Sequence, residues 1–131
     1  MTTWTETQVT TLASPRSVAD TVARLTEILS SKGVKVFAVI DQAKEAREAG
    51  LQLRETVLVT FGNPAAGTPV MDAVPLAALD LPLKLLIWAD GGQTNVSYYP
   101  AQALAARYGL PGELAAKLAA IDAIAGALVA P

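Results

Sequence analysis

Two segments joined by a four-residue turn constrain the fold of this chain more than any other feature. The first segment, Leu83 to Ala89, is strongly apolar, and the second, Thr94 to Tyr99, returns as its partner. Between them stands Asp90-Gly91-Gly92-Gln93, a sequence typical of a β-hairpin connection. A hairpin pairs its strands antiparallel, so we expect these two segments to be neighbours in a β-sheet.

Three further segments have the residue pattern of β-strands. Thr5 to Ala13 alternates polar and β-branched residues and is expected at an edge of the sheet. Val34 to Ile40 is almost entirely apolar, which is typical of a central strand. Thr56 to Phe61 alternates between two faces, and the sequence Gly62-Asn63-Pro64 ends it.

Helices are predicted from capping residues and from apolar residues at helical spacing. Ser14-Pro15 is expected to start the first helix, and Gly33 is expected to end it. Asp41 is expected to cap a short charged helix through Ala49. The last two helices are predicted from Pro100 to Tyr108 and from Pro111 onward.

The segment from Pro64 to Pro82 has prolines at positions 64, 69, 75 and 82. Each proline lacks a backbone N–H and clashes with the preceding turn, which excludes a long helix. We expect two short helical turns instead, Thr68 to Ala73 and Pro75 to Asp80.

The resulting element order, β-α-β-α-β-α-β-β-α-α, predicts one α+β domain over residues 1–131. A hairpin combined with helical crossovers indicates a mixed β-sheet of about five strands that is covered by helices.

The 131-residue chain contains neither histidine nor cysteine. Zinc, iron–sulfur and copper sites depend on those ligands, so we predict no metal site of these kinds and no cofactor. Cysteine nucleophiles and histidine general bases are excluded for the same reason.

Charge and hydropathy argue against two classes of partner. The net charge is −2, with Lys and Arg scattered singly, whereas nucleic-acid binders normally carry a basic face. The most apolar tail, Leu118 to Pro131, is too short to span a bilayer and contains Asp122. We therefore expect a cytoplasmic protein that binds neither nucleic acid nor membranes.

Four residues are candidates for a ligand site: Gly62, Asn63, Lys84 and Tyr98. Backbone N–H groups and the Asn63 amide can bind an anion, or they can simply form a tight turn. Lys84 is a charge on an apolar strand, where it either binds a substrate carboxylate or extends its ammonium into water. Tyr98 faces either a pocket or the core. We expect Asn63 and Lys84 to share one cleft.

Asp41, Asp80 and Asp90 each stand at the edge of a predicted element. Two carboxylates in one cleft can hold Mg²⁺ or divide acid and base roles. Each residue is also explained separately, as a helix cap, a loop start and a hairpin turn.

Two central motifs occur together: Phe-Gly-Asn-Pro-Ala-Ala-Gly-Thr-Pro-Val-Met (Phe61 to Met71) and Asp-Leu-Pro-Leu-Lys-Leu-Leu-Ile-Trp (Asp80 to Trp88). With Val36 to Asp41 upstream and Arg107 to Leu110 downstream, the chain resembles the bacterial domain-of-unknown-function 302 family over nearly its whole length. The resemblance implies a compact, homodimeric α+β domain with no assigned activity.

The family pattern has histidine at the positions of Gln42 and Tyr108. Either the shared role is not histidine chemistry, or this chain has shifted toward binding.

Three functions of different classes remain, and we favour a non-catalytic small-molecule-binding or sensing domain that acts as a homodimer. The second is an enzyme that uses Lys84 with Asp80 or Asp90 in a pocket at the sheet end. The third is a protein-interaction module that docks through the C-terminal helix. The dimer is expected because that helix has an apolar stripe wide enough to remain partly exposed, formed by Leu114, Leu118, Ile121, Ile124 and Leu128.

Overall fold

The computed structural model describes residues 8–131. Its strands are β1 (Thr10–Ser14), β2 (Lys35–Asp41), β3 (Thr56–Gly62), β4 (Leu83–Asp90) and β5 (Gln93–Tyr98). They form one sheet in the order β1-β5-β4-β3-β2. The start of the strand predicted from Thr5 lies outside the described residues.

The α+β class and the five strands are confirmed, but the sheet is antiparallel throughout and not mixed. The helical crossover from β1 leads to β2, which lies at the opposite edge of the sheet. A helical crossover predicts that two strands run in the same direction, but not that they are neighbours. Here β5, β4 and β3 lie between β1 and β2 and alternate in direction, so every neighbouring pair is antiparallel. For the same reason β2, expected to be central, is an edge strand, whereas β1 is at an edge as predicted.

The helices are α1 (Val18–Ser31), α2 (Gln42–Glu48), α3 (Pro64–Ala73), α4 (Ala101–Tyr108), α5 (Gly112–Ala115) and α6 (Ala120–Val129). Two 3₁₀ helices, Pro75–Asp80 and Ala116–Leu118, complete the chain. Helix α1 is capped by the Ser17 hydroxyl, which accepts a hydrogen bond from the Asp20 N–H at 3.0 Å. The predicted cap, Ser14, instead ends β1 and bonds the Thr21 hydroxyl at 2.8 Å.

Helix α3 is longer than the predicted turn and continues through Pro69. Pro64 lies in the first turn, where no N–H is needed. Pro69 removes only the donor that would reach the Ala65 carbonyl, and Ala65 is exposed, so water can replace that donor.

The single C-terminal helix predicted from Pro111 is divided into α5, the 3₁₀ turn and α6. Leu118 and Ile121 are three residues apart and both buried. A 3₁₀ turn has three residues per turn, so it places such a pair on the same side of the chain. The apolar stripe of this segment is used inside the chain: Leu118, Ile121, Ile124 and Leu128 are at most 3% exposed. The expectation that this stripe leaves apolar surface for a dimer is therefore wrong.

The core lies on one face of the sheet. Val59, Leu85 and Ile87 are fully buried there. Leu25 and Leu29 of α1 belong to the same cluster, as do the buried residues of α6. The two helices therefore shield this face from water, and its burial supplies the main stabilisation of the fold.

The opposite face of the sheet, which we call the open face, keeps apolar side chains partly exposed. Leu58 and Leu86 lie directly across from each other on β3 and β4, and both are half-buried. Trp88 lies on the same face, where its indole N–H donates to the Ser97 hydroxyl at 2.9 Å. The open face of the sheet thus keeps partly exposed apolar surface, whereas the apolar stripe of the C-terminal segment is buried.

Replacing Leu85 by alanine should lower the free energy of unfolding by about 2–5 kcal/mol, because it leaves a cavity in a fully buried site. The matched Leu79→Ala change, at a side chain 76% exposed, should cost less than about 0.5 kcal/mol. Urea denaturation followed by circular dichroism measures both. Similar losses for the two variants would contradict the one-sided core.

Candidate functional site

An open cavity of about 660 Å³ lies at one end of the sheet. Four parts of the chain form its walls: the turn from β3 into α3, the segment from the end of α1 into β2, the C-terminal segment that includes α6, and the start of β4. The lining is chiefly apolar.

The first wall is the turn at the end of β3. Phe61 is fully buried at the base, and Gly62 follows it. Asn63 caps α3, since its side-chain oxygen accepts a hydrogen bond from the Ala65 N–H at 2.9 Å. The cap directs α3 away from the strand, and Gly67 and Met71 of that helix line the cavity.

The second feature is a bulge in β2 between Val36 and Ala38. The extra residue, Phe37, is 46% exposed, and its ring lines the cavity. A Cβ placed on Gly62 would lie 3.7 Å from the Phe37 ring and 3.7 Å from Pro82. Gly62 therefore sits between two rings that border the same space.

The third wall is the C-terminal segment, where small residues face the cavity. Leu118 and Ile124 supply buried apolar surface, whereas Ala120 and Ala123 are short and leave room. Larger side chains at the two alanines would fill the space.

Among the described residues, the charged side chains that line the cavity are both lysines. Lys32, just after α1, and Lys117, in the 3₁₀ turn, are both exposed, and no aspartate or glutamate of residues 8–131 joins them. Neither forms an ion pair within residues 8–131, where the two ion pairs are Arg54–Asp90 and Arg107–Asp80. The cavity therefore has a positive rim on a chain of net charge −2.

The predicted ligand residues fall into two groups. Gly62 and Asn63 line the cavity, but Lys84 and Tyr98 do not. Lys84 borders a separate depression of about 10 Å³ together with Asp80 and Tyr99. Tyr98 is buried in the core, where desolvation and, to a lesser extent, the negative charge of Asp122 raise its pKa.

Asp80 is held by two donors. It accepts hydrogen bonds from Arg107 Nη1 at 2.7 Å and from the Tyr108 hydroxyl. Burial raises the pKa of Asp80, but these hydrogen bonds and the charges of Arg107 and Lys84 outweigh it, so the pKa lies below its ordinary value. The Arg107 guanidinium also stacks on the Tyr99 ring, 4.6 Å from its centroid. At position 108 the tyrosine thus acts as a hydrogen-bond donor to a carboxylate.

The remaining candidate carboxylates do not converge. Asp41 caps α2 by accepting from the Lys44 N–H at 3.0 Å. Asp90 faces Arg54 at 3.4 Å and ends β4, a strand that rises roughly 23 Å from its first residue, Leu83, whereas Asp80 precedes that strand. Within residues 8–131 no three acidic side chains are grouped to hold a metal ion.

A family model of the domain of unknown function DUF302 matches residues 10–128. The chain belongs to the DUF302 family. A solved DUF302 structure, an uncharacterized conserved protein from Bacillus stearothermophilus, superposes with a TM-score of 0.77 over 92% of this chain and 94% of that one. Identity between these two chains is 22%, so this likeness concerns the fold alone.

Curated relatives of this DUF302 chain include two fluoride channels. The fluoride-specific ion channel FluC 1 of Brucella suis is 43% identical over 81 residues, which are 62% of this chain and 32% of the channel protein. FluC 1 of Brucella abortus has the same identity over 81 residues, 30% of that protein. The chain thus spans about a third of the length of these relatives. In the part of the chain that the structure describes, no helix has the length and apolarity needed to cross a bilayer.

One wall of the cavity is predictable from the sequence, but its charged rim is not. The turn at Gly62 and Asn63 was visible as a strand end followed by a helix cap. Lys117 is far from Lys32 and Phe37 in sequence, and only the bulge and the C-terminal turn bring the three side chains to one cavity.

The Asp80→Asn variant should lose about 1–2 kcal/mol of unfolding free energy at pH 7, because Arg107 then faces a neutral amide. Folding lowers the pKa of Asp80, so its contribution is complete above the unfolded-state pKa of about 3.9 and is lost as the pH falls through the lower folded-state pKa. The difference from wild type should therefore shrink below about pH 4, as measured by urea denaturation between pH 3 and pH 7.

Asp90→Asn is the matched control, because Asp90 also faces an arginine but its side chain is 64% exposed. It should change stability by less than about 0.5 kcal/mol. Equal losses for the two variants at pH 7 would show that Asp80 is no more than a surface charge.

Proposed function

We propose that this protein is a non-catalytic binding domain for a small, largely apolar molecule. The cavity of about 660 Å³ at the sheet end supports this function. Ligand sites are usually concave, mostly apolar and about 300–1,000 Å³ in volume, with a few polar groups at defined positions. Asn63 and the two lysines are such groups.

The chemistry of the lining favours binding over catalysis. General acid–base catalysis needs a titratable group near the substrate, most often histidine or a carboxylate. The cavity has lysine, threonine and asparagine, with no carboxylate or tyrosine among its lining residues within 8–131. These hydrogen-bonding side chains suit recognition of a ligand.

The enzyme alternative, Lys84 with Asp80, has less support. The depression between them has a volume of about 10 Å³, which is about the space of a single water molecule. Asp80 is already held by Arg107 and Tyr108. These contacts favour a structural role for the pair.

The relatives' names mention fluoride, but the cavity suits another kind of ligand. Burying a small ion without replacing its hydration costs a large free energy, and apolar walls offer no replacement. We therefore propose no fluoride site in this chain.

We further propose that two copies associate through the open face of the sheet. Exposed apolar patches on soluble proteins commonly mark interaction sites, and Leu58, Leu86 and Trp88 form such a patch. A two-fold contact places the same patch on both subunits. Edge strand β1 lies on the same sheet and offers further backbone groups to a partner.

A cavity-filling change tests the binding function. The Ala123→Phe variant should weaken binding of the neutral probe N-phenyl-1-naphthylamine at least about tenfold, because the ring occupies the ligand's space. Ala23→Phe, at an exposed position of α1 that does not line the cavity, is the control and should bind as wild type does. Fluorescence titration measures both. If wild type does not bind the probe, or binding is equal in both variants, the cavity is not the site.

Light scattering at micromolar concentration tests the assembly. Wild type should have about twice the 13.6 kDa mass of the chain, and Leu86→Lys should return it to a monomer by placing a charge on the open face. Ala127→Lys, at an exposed helix position, should leave the dimer intact. A wild-type mass near 13.6 kDa would rule the dimer out, and a dimeric Leu86→Lys protein would rule out this face.

A further inference from the structure

We infer that the ligand is an amphipathic anion, with its alkyl or other apolar part in the cavity and its acidic head at the rim. This inference rests on the proposed binding function and names the class of molecule. The head group lies between Lys32 and Lys117, and the tail lies against Met71, Leu118 and Ile124.

Charge and apolar surface are separated in this cavity. The base and walls of the cavity are apolar, so a buried charge there would be costly. The two ammonium groups stand at exposed residues, where a head group can keep part of its hydration. Such a site fits a molecule with one apolar end and one charged end.

The charge at the rim of the cavity is positive and favours an anion. The whole chain has a net charge of −2, yet the charged residues at the cavity are Lys32 and Lys117. Lys35 adds a third cation nearby, since its ammonium lies 5.0 Å from the centroid of the Phe37 ring that borders the cavity. An anion is attracted by all three, and a cation is repelled.

Both lysines at the rim are available to an acidic head group. Neither Lys32 nor Lys117 contributes to an ion pair or to a side-chain hydrogen bond among residues 8–131. No carboxylate therefore has to be displaced when an acidic head binds.

Competition against N-phenyl-1-naphthylamine tests the inference with four compounds, each below its micelle concentration. Decanoate has both parts, decan-1-ol has the tail alone, acetate has the head alone, and decyltrimethylammonium has the opposite charge. Decanoate should displace the probe at a concentration about tenfold lower than decan-1-ol, and raised salt should reduce this preference. Acetate should not displace the probe, and the cation should be weaker than the alcohol.

The double variant Lys32→Gln/Lys117→Gln should remove the preference for decanoate, a loss of about threefold per lysine, while decan-1-ol binds within about twofold of wild type. Lys44→Gln/Arg47→Gln, at two exposed residues of α2 that do not line the cavity, is the charge-matched control and should keep the preference. Equal displacement by decanoate and decan-1-ol in wild type, or a preference that survives the double variant, would overturn the inference.

The probe itself separates this inference from the proposed function. If the probe fails to bind, or ignores Ala123→Phe, the binding function fails. If the probe binds in the cavity but the charge of the competitor has no effect on displacement, only the inference of an anionic ligand fails.

The ligand is expected to be a free amphiphile and not a membrane lipid. The protein should therefore not sediment with vesicles of phosphatidylcholine and phosphatidylglycerol, and co-sedimentation would contradict a free ligand.

Discussion

Burial of one face of the sheet against α1 and α6 is the interaction on which the rest of the structure depends. Val59 and Leu85 face each other across β3 and β4, and both are fully buried beneath Leu25 and Leu29. Because strands point alternate side chains to opposite faces, this burial also fixes the open face. Burial of this face also fixes the register of the sheet, because a one-residue slip would turn the apolar side chains to the other face. The register in turn fixes the position of every residue at the sheet ends.

The cavity is a consequence of how the helices end over this sheet. Strand β3 leaves the sheet at Gly62, where β4 begins with Leu83. Helix α3 turns away at its Asn63 cap, and the C-terminal segment covers the gap with alanines at positions 120 and 123. Small side chains cannot fill the space, so about 660 Å³ stays open. The walls are apolar because they extend the core, and the rim is charged because it reaches water.

Local patterns in the sequence predicted the elements well but not their arrangement. The hairpin at Asp90 to Gln93 and the alternation in Thr56 to Phe61 depend on neighbouring residues, and both are confirmed. Strand order depends on which strands meet across long loops, so β2 was assigned to the centre. Pro69 was expected to break α3, but its lost hydrogen bond lies at an exposed residue and costs little.

The same distinction applies to the candidate site. Gly62 and Asn63 form a local turn, which a strand end followed by a cap indicates. Lys32 and Lys117 are far apart in sequence, and only tertiary packing brings them to one rim. Lys84 was a candidate because it is a charged residue on an apolar strand. Side chains alternate along that strand, so Lys84 points toward the open face and not the cavity.

The central claim is that an amphipathic ligand occupies this cavity, and methyl NMR of the decanoate complex tests it most directly. In protein labelled at the methionine, isoleucine and leucine methyl groups, nuclear Overhauser effects should join the alkyl protons of decanoate to Met71 and Ile124, which line the cavity. Signals from Leu58 and Leu86 on the open face should show none. Contacts to those two leucines without any to Met71 or Ile124 would place the ligand on the sheet surface and contradict the account.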